Sequence, residues 1–206
     1  MKLKFLYTFL ICLGLTTTIK AQETIKSLKT GLPGEIGEGP VYYKDIENTL
    51  DKYLETWLYE DGTTYFKITF IKKEHTPLTG GVKVDYRDMI AGEYLLKING
   101  ITKYDTYGAN NSSNDSMANY ISGGLIVSEN KLEILFYTEP PLNGGCHRYA
   151  SGNLLLEYTP ILGSADELIW TRTNNQLYGD TTECNDGTQM DTSEFLIPAT
   201  MVLIKQ

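Results

Sequence analysis

Alternation of apolar and polar residues with a period of two constrains this chain more than any other feature. In Thr63 to Lys72, the residues Thr64, Phe66, Ile68 and Phe70 fall on one face and Tyr65, Lys67 and Thr69 on the other. Successive side chains of a strand point to opposite sides of a sheet, so this pattern reads as a half-buried strand. Tyr94, Leu96 and Ile98 alternate in the same way and run into Asn99-Gly100. Both residues of a tight hairpin turn need positive φ, which makes Asn-Gly a strong hairpin signal. The return strand is predicted over Ile101 to Thr106. Leu125 to Ser128 and Leu132 to Thr138, joined by Glu129-Asn130, predict a second hairpin. Asn153 to Thr159 and Glu167 to Thr173, joined through Pro160-Ile-Leu-Gly-Ser, predict a third. Ala199 to Lys205 is apolar on both faces and is expected in the interior. Short strands at this spacing predict an all-β fold, a single antiparallel β-barrel or sandwich of about eight to ten strands. Helix signals are few. Asp45 to Leu54, with Ile46, Leu50 and Leu54 on one side, is the expected short N-terminal helix.

The first residues read as an export signal. Lys2 and Lys4 precede the apolar run Phe5 to Leu15, and the more polar Thr16 to Ala21 ends in a small residue before Gln22. Charge, apolar core and small-residue exit occur in the order of a signal peptide, placed here at residues 1–21. The run is shorter than the roughly 20 residues a spanning helix needs. Ile11 stands before Cys12, where a lipid-anchor signal has a small residue, so Cys12 is read as part of the discarded core. The mature protein is expected to be secreted or periplasmic, without a transmembrane segment. Removing 21 residues from 206 leaves 185, and takes away three lysines and no acid, so the net charge moves from −8 to −11. Such an acidic balance argues against nucleic acid and against anionic lipid surfaces as partners. The chain divides into the signal, a glycine-rich extended arm at 22–40, and a single β domain at 41–206. At this size about 70% of the unfolded surface can be buried. Cys146 and Cys184 remain after cleavage. In an oxidising compartment an even pair is most simply a disulfide; two free buried thiols are the alternative.

The residues that carry chemistry are sparse. The chain has two histidines. His75 lies in Lys72-Lys-Glu-His-Thr-Pro77, read as a hairpin turn. His147 follows Cys146, and neighbours on a strand point to opposite faces, which is poor geometry for a Cys–His dyad. No catalytic residue is assigned. A carboxylate-based glycoside hydrolase stays open among 26 acids, because the separation of two carboxyls is a property of the fold. Asp180 to Asp191 is oxygen-rich, but its spacing does not match a calcium-binding loop, so no metal and no cofactor are expected. Tyr104, Tyr107, Tyr120, Tyr149 and Tyr178 fall in or beside predicted loops, where a rigid amphipathic ring can stack on a sugar or anchor a partner. Trp57 and Trp170 are read as core residues, with Lys205 or Arg172 able to stack over Trp57. Asp115-Ser116-Met117 and Asp180-Thr181-Thr182 are similar to a short motif used for periplasmic O-glycosylation.

Two stretches carry resemblances. Leu50 to Gly62, with Trp57, resembles the opening of lipocalin-like barrels, where a short helix leads into Gly-x-Trp on the first strand; Glu55 stands at the glycine position. More widely, the export signal, Tyr43 to Trp57, Asp88 to Tyr94 with Asn99-Gly100, and Phe195 to Gln206 together resemble a family of flavobacterial secreted proteins catalogued only as a domain of unknown function. That resemblance implies a secreted single-domain protein and carries no activity. The leading functional expectation is a monomeric, non-enzymatic β-barrel that binds a small apolar molecule in the barrel mouth or a glycan on tyrosine-bearing loops. An envelope protein-interaction or structural module without a pocket is the second expectation, and a two-carboxylate hydrolase the third.

Overall fold

The longest alternating runs become the longest strands. In a computed structural model that describes residues 23–30, 40–78, 84–108, 121–134, 136–140, 142, 150–177, 187 and 194–206, the strands are β1 (Thr24–Ser27), β2 (Val41–Lys44), β3 (Glu55–Glu60), β4 (Thr64–Leu78), β5 (Asp85–Ile98), β6 (Ile101–Asp105), β7 (Ile121–Gly123), β8 (Leu125–Ser128), β9 (Lys131–Ile134), β10 (Phe136–Tyr137), β11 (Ala150–Thr159), β12 (Glu167–Leu177) and β13 (Thr200–Lys205). They form one sheet with the ladder β1-β2-β5-β4-β3-β13-β12-β11-β9-β8. The pairs β1–β2 and β2–β5 are parallel, and the others are antiparallel. All three expected hairpins form, as β5–β6, β8–β9 and β11–β12. Asn99 and Gly100 take φ of 51° and 76°, as the turn between β5 and β6 requires.

The fold is all-β, and three expectations need correction. The ladder does not close into a continuous barrel: it ends at β1 and β8, with β7 forming a short branch that pairs both β5 and β10. The helix over Asp45 to Leu54 is absent and only Asp51–Tyr53 makes a single 3₁₀ turn. The cause is local. Both carboxylate oxygens of Asp45 accept backbone N–H groups, from Thr49 at 2.8 Å and Leu50 at 3.0 Å. Asn48 turns to φ 53°, and Glu55 at φ 83° takes the chain out into β3. Leu50 is buried in the core and Leu54 packs against it, but Ile46 is exposed, so the expected apolar stripe is broken at its first residue. Finally, His75 lies inside β4 rather than in a turn. It sits at φ 51° in a bulge where the pairing with β5 shifts between Lys73 and Thr76. Within the expected arm, Thr24–Ser27 is a strand and Leu28 is buried.

The sheet is strongly curled. β4 and β12 are three strands apart in the ladder, about 14 Å if it were flat. Yet the rings of Phe66 and Trp170 meet with centroids 5.5 Å apart. Trp170 also meets Tyr137 at 6.0 Å, and Phe66 meets Tyr94 at 5.7 Å. These rings, with Trp57, Leu132, Leu156 and Leu203, belong to one core on the enclosed side. Both tryptophans are core residues, and Lys205 Nζ lies 6.0 Å from the Trp57 ring centroid. β13 is central, between β3 and β12. Its enclosed face buries Met201 and Leu203, while Val202 and Ile204 on the other face keep 43% and 37% of their surface.

Candidate functional site

Alternation sends Tyr65, Lys67 and Thr69 of β4 to the outer face, opposite Phe66, Ile68 and Phe70. Tyr107 follows β6 and comes back over this face. Its hydroxyl lies 3.1 Å from Thr69 Oγ1, which in turn is 2.9 Å from Thr56 Oγ1 on β3. Lys67 Nζ stands 5.7 Å from the Tyr107 ring centroid. Lys97, paired with Tyr65 across β4–β5, stands 5.5 Å from that ring. Two tyrosines and two lysines thus share one patch. Tyr107 keeps 39% of its surface. Its phenol is pushed up, first by partial burial and then by the nearby Tyr65, Glu93 and Asp105, against the Thr69 bond. It remains protonated at ordinary pH.

Among the tyrosines expected to bind a ligand, Tyr107 is on this surface. Tyr104 is in β6, only 4% exposed, and packs against Tyr94 in the core. Tyr120, Tyr149 and Tyr178 lie outside the described residues, as do the cysteines Cys146 and Cys184, His147, the signal at 1–21 and both glycosylation-like motifs. Tyr65, Lys67, Thr69 and Lys97 extend the patch. For Tyr65, Lys67 and Thr69 the signal in the sequence was the polar face of the β4 alternation.

Two other polar clusters are built around buried acids. At one, Glu139 is enclosed and accepts the Tyr137 hydroxyl at 2.8 Å, Leu196 N–H at 2.8 Å and Ile197 N–H at 3.1 Å. Arg172 Nη1 lies 3.4 Å from it, and the guanidinium stands over the rings of Tyr137 and Phe195. Desolvation nevertheless raises the Glu139 carboxyl above its ordinary range. At the other, Asp88 accepts the Tyr42 hydroxyl, His75 N–H at 3.0 Å and Asp45 N–H at 2.9 Å. His75 is stacked on Tyr86 with centroids 3.9 Å apart, and its Nε2 is 3.0 Å from a Glu23 carboxylate oxygen. Lys72 Nζ joins Asp45 at 2.9 Å. Arg87, beside Asp88, is fully enclosed. Neither acid cluster was legible in the sequence, because nothing local marks a single charged residue as buried.

These acids hold backbone in place. Among the described residues no group of three or more His, Cys, Asp or Glu could hold a metal ion, and no helix is long and apolar enough to cross a membrane. A family model described as a family of unknown function, DUF6705, matches residues 1–206. No curated protein and no solved structure matches the chain.

Proposed function

We propose, from the premise that this chain belongs to the DUF6705 family of unknown function, that it is a non-enzymatic, secreted binding protein that takes an acidic glycan on the outer face of β3–β5. The observation that carries this reading is the Tyr65–Tyr107 patch. Tyr107 is held there by Thr69, and each ring has a lysine beside it. Tyrosine offers a rigid apolar face for a sugar ring and a hydroxyl for its oxygens. Lys67 and Lys97 add charge for a uronate-type carboxylate, on a chain that is otherwise acidic. The alternative of a small apolar ligand in the interior has less support, because Trp57, Phe66, Tyr94, Tyr137 and Trp170 already fill the enclosed side.

The test is calorimetric titration of the mature chain, residues 22–206, with neutral and uronate-bearing oligosaccharides. Binding of the acidic sugars is expected, weakened about tenfold or more by Tyr107→Ala and by Tyr65→Ala, roughly 1.4 kcal/mol each. Neither substitution should alter the core. Binding that both variants retain in full, or no binding by any oligosaccharide, removes this reading. A second reading, an envelope protein-interaction module, is favoured by a separate observation. Ile169 pairs with Val202 and Leu58 pairs with Ile204, which makes an apolar strip on the outer face of β12–β13–β3.

A further inference from the structure

We infer that Arg87 is the receptor for a small anion bound inside the protein, at the junction of β2, β4 and β5. Arg87 pairs with Tyr43 of β2 and Thr76 of β4 in the ladder. Its residue is 0% exposed. Its Nε, Nη1 and Nη2 are each buried with no hydrogen-bond partner among the described residues. A guanidinium stays charged under any ordinary condition and carries five donors. An enclosed charge with none of them satisfied costs several kcal/mol.

The neighbouring acids do not answer it. Asp88 is next in sequence, so it points to the opposite face of β5. Its oxygens are engaged by Tyr42, His75 and Asp45. Asp85 holds Val41 N–H at 3.0 Å, and Asp45 holds Lys72. The contrast with Arg172 is instructive, since that guanidinium has Glu139 and the Tyr137 hydroxyl within reach. Both faces of β5 are buried at Arg87 to Gly92, so bulk water does not take the missing role. A monovalent anion of chloride or formate size matches the charge. The planar fork of donors also suits an oxyanion held by two parallel bonds.

The experiment follows the thermal midpoint of the mature chain against chloride, and separately against formate and phosphate. Ionic strength is held constant with a large organic anion. A ligand that binds only the folded state raises stability with the logarithm of its concentration. A rise of about 5 °C over the hundredfold range above the dissociation constant is expected for at least one of these anions. Arg87→Met should abolish the anion dependence and Arg87→Lys should retain part of it. A midpoint insensitive to all three anions overturns the proposal, and so does an unchanged response in Arg87→Met; the counter-charge then comes from the chain itself. If Arg87→Met does not fold, crystals of the unmutated protein grown in bromide decide the matter. An anomalous peak within hydrogen-bonding reach of the guanidinium sustains the site, and its absence removes it.

Discussion

Glu139 and Asp61 are held by the same kind of donor set in opposite settings. Each accepts two consecutive backbone N–H groups and one tyrosine hydroxyl. For Glu139 these come from Leu196, Ile197 and Tyr137. For Asp61 they come from Thr63, Thr64 and Tyr59. Hydrogen bonds to a carboxylate favour its charged form in both places. Asp61 is on the surface between β3 and β4, and its carboxyl falls to about 2, led by the Thr64 N–H. Glu139 is enclosed, and desolvation outweighs the same donors and Arg172 together, so its carboxyl rises. The difference shows that donors alone do not set the charge balance of this protein. Burial decides which way an identical cradle tips. Asp88, with Tyr42, His75 N–H and Asp45 N–H, repeats the donor set at a third place, without an arginine partner.

The largest expected effect comes from Glu139→Gln. It removes the counter-charge of Arg172 while Arg172 stays buried, and it turns an amide toward two backbone donors. Breaking one partner of a buried pair costs about 3–5 kcal/mol, read as a lower midpoint in urea unfolding. Adding Arg172→Met to that variant should recover part of the loss, because the stranded charge is gone while the Leu196 and Ile197 N–H groups remain. A loss under about 1 kcal/mol for Glu139→Gln would mean that burial does not separate the two cradles in energy. The pH dependence follows with a definite sign. A carboxyl raised on folding binds its proton more tightly in the native state. Its contribution is therefore largest below its ordinary value near 4.5 and falls as pH rises through the raised folded value. Glu139→Gln should lack this slope.

Asp88→Asn should cost less, about 2 kcal/mol, because it weakens three charge-assisted bonds and strands no paired guanidinium. The measurement is the same denaturation midpoint. A cost equal to that of Glu139→Gln would show that the cradle, and not the arginine, dominates both sites.

How far the sequence announced all this depends on the residue. The hairpins at Asn99-Gly100, Glu129-Asn130 and Pro160 to Ser164 were readable because turn chemistry is local. The inward row Phe66-Ile68-Phe70 was readable because a strand's period is two, whereas Ala199 to Lys205, apolar on both faces, did not announce that Val202 and Ile204 would stay exposed. The curl that puts Phe66 against Trp170 was not, since no local pattern fixes how far a sheet bends. The helix over Asp45 to Leu54 failed because Asp45 competes for backbone donors that a helix would use, a known property of aspartate near chain turns. Tyr107 was placed on the surface by its loop, while Tyr104, three residues earlier and in β6, went to the core with Leu96, its β5 partner. Glu55 joins the two levels. Its φ of 83° is a conformation that favours glycine. Glu55→Gly should raise stability by about 1 kcal/mol, seen as a higher thermal midpoint. It sets relief of backbone strain beside the electrostatic changes at the three carboxylates, on the same scale. No gain, or a loss, would mean that the exposed Glu55–Lys205 ion pair at 3.1 Å outweighs that strain.

The smallest effect belongs to Asp61, and it tests the comparison most directly because the change is free of packing. A carboxyl lowered on folding stabilises the native state at pH above its ordinary value of 3.8, and that stabilisation disappears as pH falls through about 2. Carbon-detected NMR of the Asp61 carboxyl should give a midpoint near 2, and Tyr59→Phe should move it upward by removing one donor. Asp61→Asn should flatten the acid limb of the stability curve between about 4 and 2, with a small loss of stability at neutral pH and none at pH below about 2. The Glu139 carboxyl, followed in the same spectra, should move the other way from its ordinary value. If Asp61 titrates near 3.8 after all, the two N–H groups of the β3–β4 turn do not act as charge-stabilising donors in solution. The contrast with Glu139 would then rest on burial at one site alone, with no cradle shared between the two.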